Sequence, residues 1–149
     1  MASTSASAVV AGATDTGDDL DEAARTAAYV ASFTEPDFHA TADEFLDAIE
    51  DEISALEYGA AAKHLTEEFD VENAMGVLTV ALGGGRGTYV INKQTPNRQI
   101  WWSSPVSGPK RYSYDREADA WVNTRDGHEL VALLKTEIAD ALPGAELDL

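Results

Sequence analysis

The chain contains no cysteine, which removes disulfides, thiolate metal ligands and cysteine nucleophiles together. It is also poor in cations, with 10 lysines and arginines against 27 aspartates and glutamates and a formal net charge of -17. That balance disfavours general attraction to nucleic acid or to anionic lipid. Cations and basic protein surfaces are the partners that remain, while solubility or adaptation to a salty cytoplasm would account for the same composition. No apolar run approaches the roughly 20 residues of a membrane span, so the reading is of a soluble protein with no membrane partner. G-x-S-x-G, H-E-x-x-H and phosphate-loop patterns are missing, and "GGGRG" leads from strand to strand where a phosphate loop would lead into a helix.

What is present suits one folded domain. The 149 residues are 44% hydrophobic and 8% aromatic, enough for a core. The opening "MASTSASAVVAGATDTGDDLD" is small and polar, and it lacks the arginines of a mitochondrial targeting peptide. The chain is therefore read as a flexible leader over residues 1–33 and a single domain over 34–149.

Successive helical residues lie about 100° apart, which gathers Ala42, Phe45, Leu46, Ile49, Ile53 and Leu56 into one stripe. Thr41 with Glu44 three positions on forms a candidate capping box, and Gly59 suits the stop. Runs of alternating apolar and polar residues follow, "EEFDVEN", "MGVLTVAL", "TYVINKQ", "RQIWWS", "KRYSYD" and "AWVN", separated by turn chemistry. "DGHELVALLKTEIADALPG" places Leu130, Leu133, Leu134, Ile138, Ala141 and Leu142 on a second helical face, ended by Pro143 and Gly144. The fold class expected is α+β, a two-layer α/β sandwich with two terminal helices packed on one face of an antiparallel sheet.

The charges are segregated. Asp43, Asp47 and Asp51 follow one another at i, i+4 with Glu44 and Glu50 alongside, and the first strand region adds Glu67, Glu68, Asp70 and Glu72. Like charges at that spacing weaken an isolated helix by about 0.2–0.5 kcal/mol per pair. Such a ridge suits hard cations with oxygen ligands, such as iron, manganese, calcium or magnesium, bound openly and weakly. A solvated helix face kept for solubility is the competing reading, and His39 and His64 beside it read as plain surface histidines. Exposed carboxylates are poor general acids or bases, so no catalytic residue is assigned.

From Lys93 to Arg116 the balance reverses, with Lys93, Arg98, Lys110, Arg111 and Arg116 facing the single acid Asp115. Alternation turns Tyr89, Ile91, Ile100 and Trp102 towards the helices and leaves Asn92, Gln94, Gln99 and Trp101 on the open face. An aromatic ring among amides and arginine has the composition of an interface hot spot, against the plainer reading of a ring that covers bare sheet. Single-stranded nucleic acid would also suit basic and aromatic residues, but the overall charge opposes it.

"GTYVINKQTPNRQIWWSSPVSGPKRY", together with "FHATADEFLDAIEDEI" and "GVLTVAL", resembles the frataxins, in particular the eukaryotic mitochondrial type. The resemblance covers roughly residues 38–142. It implies weak binding of ferrous and ferric iron at the surface, and a place in mitochondrial iron-sulfur cluster assembly, where the complex of cysteine desulfurase and scaffold protein is activated for sulfur transfer. Iron delivery is also implied. The alternative it carries is a ferroxidase and iron-storage protein, oxidising ferrous to ferric iron on the ridge. Residue by residue, it implies iron at Asp43, Glu44, Asp47, Glu50, Asp51, Glu68 and Asp70, and partner contact through Asn92, Lys93, Gln94, Gln99, Trp101 and Arg111. A monomer with iron-dependent oligomers and a mitochondrial matrix location follow from the same resemblance. Trp102 stands where these relatives usually have leucine, and a short tail after Gly144 implies modest stability.

Overall fold

The computed structural model describes residues 21–149, and the chain divides after Thr34 into two units. In the first, residues 21–32 form helix α1. Its alanines favour helix. The sequence reading assigned no element to this stretch of the leader, and residues 1–20 of that leader lie outside the described residues.

The second unit, Glu35–Leu149, contains the whole sheet. Helix α2 spans Glu35–Ser54, followed by β1 (Asp70–Ala74), β2 (Val77–Ala81), β3 (Thr88–Gln94), β4 (Gln99–Ser104), β5 (Gly108–Asp115), β6 (Ala120–Asn123) and α3 (Leu130–Ala141). The six strands lie in sequence order and every neighbouring pair is antiparallel. Short turns permit this meander, because only antiparallel neighbours can be joined without a crossover.

The two helices cover one face. Phe38, Ala42, Leu46, Ile49 and Ile53 of α2, with Leu130, Leu134 and Ile138 of α3, are buried against Leu78, Val80, Tyr89, Ile91, Ile100, Trp102 and Tyr112 of the sheet. This is the sandwich that the two periodicities imply.

Two expectations about α2 need correction. It starts at Glu35, so Thr41 lies inside the helix and cannot cap it. Pro36 fits the first turn, where its missing N–H costs nothing, and Glu35 and Asp37 add favourable charge there. At the other end the α-helix gives way to a 3-10 turn over Ala55–Tyr58, and Gly59 stops it with φ -107°, outside the left-handed region expected of a glycine stop. The tail folds back: Ala145 and Leu147 are buried, and the Asp148 amide donates to Glu52 Oε1 at 2.5 Å. Among the described residues no helix is long and apolar enough to cross a membrane.

Candidate partner-binding face and acidic ridge

The register of the sheet assembles the open face. Val77 stands opposite Asn92, Asn92 opposite Trp101, and Trp101 opposite Arg111, so one row crosses four strands. The neighbouring row sets Gln94 opposite Gln99 and Gln99 opposite Ser113. Asn92, Gln94, Gln99 and Trp101 are half-buried and Arg111 is exposed.

Trp101 is held in place by its neighbours. The Arg111 guanidinium lies 4.5 Å from the centroid of its ring, a cation-π distance, and its Nε1 donates to Gln99 Oε1 at 3.0 Å. A ring fixed this way loses little side-chain freedom on binding. Below it the chain reverses through Thr95–Asn97, with Arg98 left-handed at φ 54° and its guanidinium donating to the Thr95 carbonyl at 2.7 Å. That turn keeps the β3 and β4 rows in step. Val77 and the fully exposed Met75 extend the face with apolar surface that the sequence reading did not single out, although alternation along β2 points Val77 outward.

Lys93 belongs elsewhere. It shares the helix side of β3 with Tyr89 and Ile91, and its Nζ donates to Asp43 Oδ1 at 2.6 Å and lies 3.0 Å from His39 Nδ1. The side chain is 15% exposed and ties the sheet to α2. The structure thus brings Asn92, Gln94, Gln99, Trp101 and Arg111 together and sets Lys93 behind them.

On the ridge, Asp43, Glu44, Asp47 and Asp51 are exposed and Glu50 is half-buried. Asp47 Oδ1 and Glu50 Oε1 converge on one amide: Asn73 Nδ2 of β1 donates to them at 3.0 and 3.1 Å. Glu68 accepts from the Gly84 amide at 3.4 Å, and Asp70, exposed, begins the edge strand. Among the described residues no three histidine, aspartate or glutamate side chains converge to hold one ion. Asn73 was missed because a lone amide in a strand gives no sequence signal.

A second polar cluster lies under the sheet. Glu137 of α3 is buried and accepts from Tyr89 Oη at 3.0 Å, Ser104 Oγ at 2.5 Å and Ser107 Oγ at 2.6 Å. Burial first, then the bond to Glu137, pushes the Tyr89 hydroxyl well above its ordinary value, and burial does the same to Tyr112. Desolvation pulls Lys110 down. Glu137 sits on the apolar stripe of α3, where the period alone gives no reason to expect a carboxylate. Its three donors come from distant strands and turns.

Residues 31–144 match the frataxin-like domain. The chain belongs to the frataxin family. It is 50% identical over 101 residues to the mitochondrial frataxin of Dictyostelium discoideum, a match covering 68% of this chain and 50% of that protein. With the mitochondrial frataxin of Caenorhabditis elegans it shares 42% identity over 116 residues, 78% of this chain and 82% of that one. The chain thus spans half the length of the first relative and about four-fifths of the second. Among solved structures, the trimeric frataxin of Saccharomyces cerevisiae complexed with ferrous superposes with a TM-score of 0.58 at 38% identity, over 68% of this chain and 85% of that one. Membership is of the eukaryotic, mitochondrial type, and the protein is mitochondrial.

Proposed function

We propose that this frataxin-family protein is an iron-binding accessory of mitochondrial iron-sulfur cluster assembly that docks on the cysteine desulfurase-scaffold complex and promotes sulfur transfer. The observation that carries the reading is Trp101, clamped by Arg111 and Gln99 on a sheet face that neither α2 nor α3 covers. A rigid aromatic ring with amides and a guanidinium around it combines apolar area with hydrogen-bonding groups that fix register. The chain works by docking. Its carboxylates carry ferrous iron as cargo through Asp47, Asp51, Glu68 and Asp70, with Glu44 and Glu50 beside them. Asp43 is shared with Lys93, which on this reading positions α2 against the sheet.

The test is sulfide and cluster production by a purified desulfurase-scaffold complex at fixed ferrous iron, with the full chain and with Trp101→Ala. Stimulation by the native chain and its loss in the variant are expected. Equal stimulation by both would remove the docking assignment.

The yeast relative, trimeric and complexed with ferrous, favours one second reading: oxidation of ferrous iron by oxygen and storage of the product in oligomers. It requires oxygen consumption that falls when Asp43, Asp47 and Asp51 become asparagine and is indifferent to Trp101.

A further inference from the structure

Ala74 of β1 stands opposite Val77 of β2, so Met75 and Gly76 alone make the turn between them. Both have positive φ, 54° and 78°, the backbone of a two-residue type I′ turn, whose first position ordinarily holds asparagine, aspartate or glycine. A bulky apolar side chain is an outlier in that conformation, because its Cβ crowds the backbone. Met75 is also fully exposed, more so than any other large hydrophobic side chain among the described residues. The position therefore carries backbone strain and covers no part of the protein's own core. Strain kept at a surface site points to a use outside the fold.

The turn adjoins the open face of the sheet. Ala74, Val77, Asn92, Trp101 and Arg111 form one row across five strands, and Met75 stands at its β1–β2 end. The Lys93 amide donates to the Gly76 carbonyl at 2.9 Å, which fastens the turn to β3. Neighbouring strands lie about 4.8 Å apart, so the turn is roughly 10 Å from Trp101. Ala74, Met75 and Val77 are all exposed and make an apolar corner. Only the Asn92 amide stands between Val77 and Trp101 in the row, and no charge separates the corner from the ring.

On the docking reading given above, we propose that Met75 is a second anchor of that contact, seated with Val77 in an apolar pocket of the desulfurase-scaffold complex beside the site that takes Trp101. Methionine is enriched at interfaces, where its unbranched thioether adapts to the pocket it meets. The ring, held by Arg111 and Gln99, fixes register, and the thioether at the corner adjusts to it.

The experiment measures affinity for the purified desulfurase-scaffold complex by titration calorimetry, and urea unfolding in parallel, for the full chain and its Met75→Asn, Met75→Leu and Trp101→Ala variants. Asparagine suits the left-handed turn, so Met75→Asn should unfold at higher urea than the native chain and bind at least fivefold more weakly. Leucine keeps the apolar reach, and Met75→Leu should bind within about twofold of native. Gain in stability with loss in affinity is the signature of a residue kept for a partner. Native-like binding by Met75→Asn, with Trp101→Ala weakened, would overturn the second anchor and leave the docking face standing. Native-like binding by both would remove the docking face and the anchor with it. A lower urea midpoint in Met75→Asn would show that the turn itself needs methionine. Sedimentation of the free chain supplies the last check: self-association that Met75→Asn abolishes while docking is unchanged would make a second copy of this chain the occupant and overturn the proposal.

Discussion

Trp101 and Trp102 are adjacent in sequence and opposite in burial and in the bonding of their indole N–H groups. Trp102 is 1% exposed, stacked on Tyr89 with ring centroids 5.9 Å apart, and its Nε1 has no protein hydrogen-bond partner. Trp101 is half-buried on the other face, its Nε1 bonded to Gln99 and its ring under Arg111. One step along a pleated strand separates a residue that holds the layers together from one that stands on the open face of the sheet. The difference teaches that side-chain type alone assigns neither role.

The sharpest way to break the comparison is to truncate each ring. Trp102→Ala leaves a large cavity between the layers and should cost about 3–5 kcal/mol of stability, read by urea unfolding. Trp102→Phe keeps much of the ring contact and removes the unpartnered N–H, so its cost should be well under that of alanine. Equal costs for the two variants would mean that packing around Trp102 is looser than the stacking with Tyr89 indicates.

Trp101→Ala should change stability by less than about 1 kcal/mol, since surface substitutions rarely do more. On the proposed function its effect falls on docking, where a central aromatic anchor is worth about 2 kcal/mol or more, roughly thirtyfold in affinity for the desulfurase-scaffold complex. Titration calorimetry against that complex reads it directly. Large destabilisation with unchanged affinity would reverse the roles assigned to the two tryptophans.

The division between the faces was legible because period-2 alternation is local and register follows from short turns. The sandwich, the buried Ile91 and Ile100 and the outward Gln94 and Gln99 all come from that pattern. Alternation also sets Lys93 on the side of Tyr89 and Ile91, where it meets Asp43, whereas the family resemblance grouped it with the partner contacts of the open face. The start of α2 was missed for a different reason: the apolar stripe and the Thr41 box outweighed Pro36, whose preference for a first turn was the better signal. Glu137 and Asn73 were out of reach, because each depends on partners more than 20 positions away in sequence.

Alkaline pH separates the layers more gently. Tyr89 and Tyr112 under the sheet are raised well above 10.0, and Tyr114 at its margin rises from 10.0 to about 12. In the unfolded chain these hydroxyls lose their protons near the ordinary value while the folded chain still holds them. The unfolded state therefore binds fewer protons, and stability falls as pH rises above 10. Below that pH the contribution is fully present and constant. Urea midpoints should stay level from pH 8 to pH 9.5 with respect to these groups and drop between pH 10 and 12, and Tyr114→Phe should make the drop shallower.

The smallest effect concerns Lys93, and it decides which face that residue serves. Its pair with Asp43 joins a side chain 15% exposed to one 55% exposed, so solvent screens much of the attraction. A double-mutant cycle with Lys93→Gln and Asp43→Asn should give a coupling of about 0.5–1 kcal/mol in stability. Affinity for the desulfurase-scaffold complex should change far less in Lys93→Gln than in Trp101→Ala, because the side chain sits behind the sheet. If Lys93→Gln weakens docking as strongly as Trp101→Ala while the stability coupling vanishes, the ammonium has left Asp43 for the partner. The open face would then reach around the strand end, and the acidic ridge would lose the cation that holds Asp43.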